Sequence, residues 1–271
     1  MGNEENNQVD LKKSIIGMVH VQALPGTAGN VLTMEEIIQH AVKDAKVLEL
    51  GGVDAIMIEN MHDRPYLNRK VGPEIVAAMT AVAFSVRREI SVPLGIQILA
   101  GANREALSVA LVAGFDFIRA EGFVFGHLAD EGMMNSDAAK LMRFRKQIGA
   151  EHIRVYTDIK KKHSSHALSA DVSIAETAKA AEFFLSDGVI VTGTSTGEKP
   201  SKQELMAVRE AVTIPVLIGS GIHASNFSEY RELADAFIVG SSLKFEGKWE
   251  NNVDSKRVAE FMRIAGKLRN T

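Results

Sequence analysis

The chain has 271 residues, 46% hydrophobic and 24% charged, an ordinary globular composition that excludes disorder for the chain as a whole. Lysine plus arginine number 31 and aspartate plus glutamate 34, a formal net charge of −3 that argues against a nucleic-acid binder. There is no cysteine, so disulfides, thiolate nucleophiles, zinc–thiolate sites and iron–sulfur clusters are excluded.

Residues 1–12 are polar and acidic at the start and are expected to be a flexible N-terminal segment; residues 13–271 are expected to form one domain. The N-terminus lacks the basic start and apolar stretch of a secretory signal and the arginines of a transit peptide, so a cytoplasmic location is expected. The longest apolar run, Ile75–Val86, has 12 residues without a charge. That falls short of the ~20 needed to span a bilayer, so no transmembrane segment is expected.

Apolar β-type runs alternate with helix-length segments along the whole chain. The runs predict strands at Ile15–His20, Ala55–Glu59, Leu94–Leu99, Phe117–Glu121, Arg154–Ile159, Val189–Thr192, Val216–Ile218 and Phe237–Val239. Helices are predicted at Met34–Leu50, Pro73–Glu89, Arg104–Ala113, Asp137–Ile148, Ser173–Leu185, Lys202–Ala211, Asn226–Leu233 and Asp254–Leu268. Thr33 with Glu36 and Ser173 with Glu176 read as capping boxes. Gly51, Gly114, Gly149 and Gly188 follow helix patterns where a left-handed cap is expected. Pro93 and Pro215 stand at strand entrances, where a missing N–H costs least. Eight β–α units of this size predict a single-domain α/β (β/α)₈ TIM barrel. The alternative, an open doubly wound sheet, lacks a G-x-G-x-x-G turn after the first strand.

A barrel strand has one face on the helices and one in the lumen, so charges within it must face the lumen. Alternation then aims Ile16, Met18, His20, Met57, Glu59, Gly95, Gln97, Phe117, Arg119, Glu121, Arg154, Tyr156 and Asp158 inward, an unusually polar lumen. Arg119 and Arg154 lie mid-strand or lower and read as ion-pair partners. His20, Glu59, Glu121 and Asp158 lie at C-terminal strand ends, where barrel active sites sit.

Further chemistry is concentrated in the loops. Gly219-Ser220-Gly221 after the seventh strand and Gly240-Ser241 after the eighth are placed to bind phosphate on exposed backbone N–H groups; tight turns are the bland alternative. Gly193 and Thr194, after the sixth strand, suit the same role. Glu59-Asn60-Met61-His62-Asp63 offers acid–base groups or hard metal ligands, or simply a polar turn held by Asn60 and Asp63. Lys160-Lys161-Lys162-His163 follows the fifth strand. A rim lysine can form a Schiff base or grip phosphate, although such a run is commonly a solvated loop. Phe123 and Phe125 suggest an apolar cover over the fourth strand's loop or packing beneath it.

Jointly these segments resemble the BtpA/SgcQ family from about Ile16 to Leu268. The carriers are Gly17-Met18-Val19-His20 with Leu24-Pro25-Gly26, Gly52-Val53-Asp54-Ala55 with Ile58-Glu59-Asn60 and Asp63, and Arg119-Ala120-Glu121. They continue with Asp158-Ile159, Lys162-His163, Val189-Ile190-Val191-Thr192-Gly193 with Thr196-Gly197, and Gly219-Ser220-Gly221. The resemblance implies a barrel. It also implies kinship with a protein needed for photosystem I accumulation at thylakoid membranes and with a gene of a bacterial sugar-uptake cluster. It supplies no catalytic assignment, and it alone raises peripheral membrane association. Lys161 departs from the family, which more often carries an apolar residue there.

The residues therefore point to an enzyme on a small phosphorylated molecule, a sugar phosphate or nucleotide derivative, of isomerase/epimerase, lyase or hydrolase type. His20, Glu59, Asp63, Glu121, Asp158, Lys162 and His163 are the candidate catalytic groups, and Gly193, Thr194, Gly219, Ser220, Gly221, Gly240 and Ser241 the candidate phosphate groups. A non-catalytic assembly or biogenesis factor is the alternative. No cofactor is required by the pattern; a divalent cation, if bound, would take Glu59 and Asp158, as Mg²⁺ or Mn²⁺, or as Zn²⁺ with His20. The helix after the second strand is apolar on nearly every side, which predicts a homo-oligomer.

Overall fold

Strands that are apolar on both faces need cover on both, and closing the sheet on itself inside a ring of helices provides it. The computed structural model describes residues 11, 13–193 and 199–269. In chain order the first half comprises β1 (Ser14–His20), α1 (Met34–Leu50), β2 (Ala55–Glu59), α2 (Pro73–Glu89), β3 (Leu94–Gln97), α3 (Asn103–Ala113) and β4 (Phe117–Ala120). Next come β5 (His127–Ala129), β6 (Gly132–Met134), α4 (Ala138–Gln147), β7 (Arg154–Ile159), β8 (Ser164–Ser165) and α5 (Ile174–Phe183). The chain continues with β9 (Gly188–Val191), α6 (Lys202–Ala211), β10 (Val216–Ile218), α7 (Phe227–Tyr230), β11 (Ala236–Val239) and α8 (Ser255–Arg269). Eight parallel strands close in the order β1-β2-β3-β4-β7-β9-β10-β11 and back to β1: the expected TIM barrel.

Both capping boxes form, at Thr33/Glu36 and Ser173/Glu176. Gly114 and Gly149 adopt the left-handed conformation, with φ of 70° and 69°. Gly51 does not, with φ −77°; the next residue, Gly52, takes φ 86° instead. Gly188 is the first residue of β9, and the left-handed position after α5 falls on Leu185 at φ 69°. The helix expected at Asn226–Leu233 shrinks to the single turn of α7. A feature the periodicity does not announce is a small antiparallel sheet, β6-β5-β8, built over the C-terminal mouth from the loops after β4 and β7. Its strands have only two or three residues each, too short to show a pattern.

One motif recurs four times at the N-terminal mouth. Asp54, Asp116, Asp187 and Asp235 each stand immediately before a strand: β2, β4, β9 and β11. Each carboxylate accepts the N–H of one residue in the preceding barrel strand, Ile15, Leu94, Val155 and Val216, at 2.6–2.8 Å. Each aspartate's own N–H donates to the carbonyl of that same residue, at 2.8–3.0 Å. A two-way clasp thus joins strands in pairs around the barrel.

The lower lumen is apolar, filled by Ile16, Met18, Met57, Phe117, Tyr156, Ile190, Leu217 and Ile238, with Leu11 beneath. Gly95 is required here, because a Cβ would lie 2.0 Å from the Phe117 ring. The expected polar lumen is confined to the upper rim. Arg154 turns instead to the N-terminal mouth and pairs with Asp187 at 3.0 Å. The rest of the expected N-terminal segment lies outside the described residues.

Helix α2 buries Ile75, Ala78, Met79, Val82, Ala83 and Val86 within the chain, packed against α1 and α3. Neighbouring helices therefore cover most of its apolar surface, and Phe84, 47% exposed, is the large residue left over. Phe123 packs fully inside while Phe125 stays 40% exposed, so only one of the two loop aromatics is open to solvent.

Candidate functional site

Parallel strands deliver all their C-terminal ends to one mouth, and there the polar side chains converge. A cavity of about 310 Å³ opens between the ends of β1, β2, β10 and β11. It is lined by His20, Glu59, Lys162, Arg119 and Arg257, with Gly219–Gly221 and Gly240–Ser241 forming one wall. His20 and Glu59 are direct register partners on β1 and β2, so alternation aims both into the same space.

The charges around this cavity are not all treated alike. Arg119 holds Asp158 in a buried bidentate pair, Nε to Oδ2 at 2.7 Å and Nη2 to Oδ1 at 2.8 Å. Lys161 is buried and pairs with Glu121 at 3.2 Å and with Glu131 at 3.7 Å, which explains how the loop accommodates a lysine here. Lys160 donates to the carbonyl of Val172 at 2.6 Å. Among the described residues, the side chains of Glu59 and Lys162 make neither a hydrogen bond nor an ion pair, and both face the cavity. Burial raises the Glu59 pKa, against the pull of Arg119 and Lys162. Burial first, then the Arg119 charge, lowers the Lys162 pKa.

His20 is set by its second nitrogen. Its Nδ1 lies 2.8 Å from the carbonyl of Trp249. A carbonyl only accepts, so Nδ1 carries the proton and Nε2 of the neutral ring is left with a lone pair. Burial, and then the charge of Lys244, hold the His20 pKa well below its ordinary value, keeping the ring neutral. Nε2 borders the cavity wall, since a Cβ on Gly240 would lie 3.4 Å from it.

The glycine wall is braced. Ser242 donates to the carbonyl of Ile222 at 2.9 Å, and Asn226 donates to that of Gly221 at 2.9 Å. Gly221 has φ 74°, a conformation that favours glycine. Arg257, from α8, donates to the carbonyl of Ser242 at 3.3 Å and reaches the same cavity. The Gly219 N–H is already committed, donating to the carbonyl of Val191 at 2.9 Å. Its contribution is space: a Cβ there would stand 2.5 Å from Ile190 and 3.2 Å from Arg119. The amides of Gly221, Gly240 and Ser241 have no backbone partner among the described residues. Ser220 Oγ accepts from Gly193 N–H at 3.2 Å, tying the sixth-strand loop to the wall. Thr194 lies outside the described residues.

Other candidates fall elsewhere. Asp63 accepts from Leu24 N–H at 2.8 Å and from Asn60 Nδ2 at 2.7 Å, the turn-holding arrangement, and does not line the cavity. His163 is exposed outside it, and Glu121 is occupied by Lys161. The cation site expected from Glu59 and Asp158 does not assemble, because both Asp158 oxygens accept from Arg119. Among the described residues no cluster of three or more His, Asp or Glu side chains is arranged to hold a metal. Sequence reasoning missed Arg257 and Trp249. Arg257 follows the last strand by a loop and falls in the first turn of α8, and only the fold shows that α8 begins over the mouth.

A family model described as the BtpA family matches residues 11–267. The chain belongs to the BtpA family. A mitochondrial protein of Caenorhabditis elegans is 48% identical, over 94% of each chain. The photosystem I biogenesis protein BtpA of Synechocystis is 32% identical, over 92% of this chain and 86% of its own. Among solved structures, a Mycobacterium tuberculosis tryptophan synthase chain superposes with TM-score 0.61 at 15% identity, covering 96% of this chain and 93% of its own. N-(5′-phosphoribosyl)anthranilate isomerase from Pyrococcus furiosus gives 0.56 at 14%, covering 94% and 99%. These structural likenesses establish the barrel fold and nothing finer. No helix among the described residues is long and apolar enough to cross a membrane.

Proposed function

We propose that this BtpA-family barrel is an enzyme acting on a small phosphorylated substrate, a sugar phosphate or nucleotide derivative. The observation that carries this is a single cavity with two unlike walls. One wall offers the amides of Gly221, Gly240 and Ser241 with the Arg257 guanidinium, a donor set for a phosphate. The other offers the unpaired Glu59 and Lys162 and the Nε2 lone pair of His20, groups for proton transfer. At about 310 Å³ the cavity suits a small molecule. The isomerase among the structural neighbours takes, by its name, a phosphoribosyl substrate.

Titration calorimetry with inorganic phosphate, then with ribose 5-phosphate, tests the anion wall. Binding is expected in the wild type and lost in Gly221→Asp, which puts a carboxylate into the anion's space. Equal binding by both proteins would overturn the assignment. The name of the Synechocystis relative supports a second reading, a non-catalytic biogenesis factor. Turnover of any member of a phosphosugar panel, lost in Glu59→Gln, separates the two. A chain without cysteine suits a reducing compartment, the cytoplasm in the simplest case.

A further inference from the structure

The run Lys160-Lys161-Lys162 is uniform in sequence and not in structure. Lys160 is spent on a backbone carbonyl and Lys161 on two carboxylates. Lys162 alone of the three lines the cavity, and no acceptor among the described residues takes its amine. The carboxylate of Asp158, four residues earlier on the same strand and loop, accepts instead from Nε and Nη2 of Arg119. An amine that pairs with no carboxylate among the described residues, beside a guanidinium and facing the cavity, is arranged as a nucleophile rather than as a structural cation. Were its task only to grip phosphate, full charge would serve best, and a neighbouring Arg119 works against that.

We propose that the Lys162 amine forms a Schiff base with the carbonyl of a phosphorylated aldehyde or ketone, with Glu59 as the proton donor and acceptor. This deepens the reading above by naming the substrate class, and it rests on that reading only for where the phosphate sits. The neutral amine adds to the carbonyl carbon, and the C=O π pair moves to oxygen, which takes the Glu59 proton. The nitrogen, now cationic with two protons, returns one to the Glu59 carboxylate, giving a neutral carbinolamine. The nitrogen lone pair then expels the hydroxyl, which leaves as water with that Glu59 proton. The products are a protonated imine on Lys162, one water and the Glu59 carboxylate. The burial that raises the Glu59 pKa and lowers that of Lys162 favours both starting forms, acid and free amine. The cationic imine acidifies the adjacent C–H, and the Nε2 lone pair of His20 is the base in the same cavity.

The full-length protein, treated with glycolaldehyde phosphate and sodium borohydride and then peptide-mapped by mass spectrometry, tests this. The reduced adduct is expected on Lys162 and not on Lys160 or Lys161, which act as internal controls in the same peptide region. Lys162→Arg should lose it, and Glu59→Gln should form it about a hundredfold more slowly. Adducts spread over exposed lysines, or an unchanged yield in Lys162→Arg, would overturn the proposal. Glycolaldehyde without the phosphate separates the two readings. Equal labelling of Lys162 by both aldehydes keeps the Schiff base and removes the phosphate wall. Phosphate binding by calorimetry with no Lys162 adduct from either aldehyde does the reverse.

Discussion

The two mouths of the barrel handle charge in opposite ways. At the N-terminal mouth Asp54, Asp116, Asp187 and Asp235 each accept a strand N–H, and Asp187 also pairs with Arg145 and Arg154, both at 3.0 Å. There one solution is repeated four times around the ring. At the C-terminal mouth the pairing is selective. Asp158 is matched by Arg119, and Glu121 and Glu131 by Lys161, while Glu59 and Lys162 stay apart and His20 keeps a lone pair. Leaving buried ionisable groups unmatched costs stability, and the other mouth shows that this chain pairs charges readily. The omission is therefore localised, and it coincides with the cavity.

Breaking the matched part of the upper mouth should have the largest effect. Arg119→Met leaves Asp158 buried with no partner and should cost about 3–5 kcal/mol in denaturant unfolding. Replacing Asp158 by Leu as well should recover much of that loss, because the penalty is the stranded charge and not the missing attraction. A single variant as stable as wild type would show that solvent reaches this pair.

The lower mouth tests the clasps. Asp54→Ala, Asp116→Ala and Asp235→Ala each strand a strand N–H and should cost about 1–3 kcal/mol by urea unfolding. Asp187→Ala should cost most of the four, since two arginines also lose their partner. Asp116 and Asp187 meet at Arg154, whose N–H donates to the Asp116 carbonyl and whose guanidinium pairs with Asp187, so their double variant should depart from additivity by about 0.5 kcal/mol or more. Phosphate affinity should not move in any of them. A clasp variant that weakened phosphate binding would mean that the two mouths are coupled.

The barrel was legible because apolar runs alternate with helical segments in every unit, and Thr33/Glu36, Ser173/Glu176, Pro93 and Pro215 all mark real boundaries. Strand alternation also placed His20 and Glu59 side by side, because a period of two is strict. What alternation cannot supply is which charges pair. Lys160, Lys161 and Lys162 are chemically identical, and only the path of the loop over β7 distributes them among a carbonyl, two carboxylates and the cavity. The lumen was read as more polar than it is because depth along a strand is not encoded in its parity: Arg154 and Asp158 share a face and lie at opposite mouths. The four clasping aspartates were visible as Asp before every second strand, but that position reads equally well as an ordinary turn residue.

Acid should expose the cost of burying histidines near the upper mouth. His127 is buried, and burial first, then His166, Lys161 and Arg69, lower its pKa from 6.5 to about 4, with Asp158 opposing. The unfolded state therefore takes up the proton first, so this contribution is whole above pH 6.5 and is lost as pH falls toward 4. Asp137 runs the other way: burial raises it from 3.8 to about 6, so its contribution is whole below pH 3.8 and is lost as pH rises toward 6. His127→Phe should therefore lessen the fall in stability from pH 7 to 4.5 by about 1–2 kcal/mol, read from melting curves. Asp137→Asn should steepen it. A His127→Phe protein with the same acid profile as wild type would place the proton uptake on His20 or His62.

The smallest effect expected is also the most specific. Arg257 sits on the first turn of α8, loosely placed 4.0 Å from Asp254 and donating to the Ser242 carbonyl at 3.3 Å. Its side chain is about 40% exposed, so its pairing contributes little to stability. Toward a phosphate it would supply a charge-assisted hydrogen bond, of which about 1.4 kcal/mol would be lost in Arg257→Gln, a tenfold weaker affinity. Unfolding stability should stay within about 0.5 kcal/mol of wild type. The lost affinity should also shrink the salt dependence of binding, since a neutral amide is not screened. Weaker binding with unchanged salt dependence would mean that Arg257 shapes the glycine wall through Ser242 rather than meeting the anion.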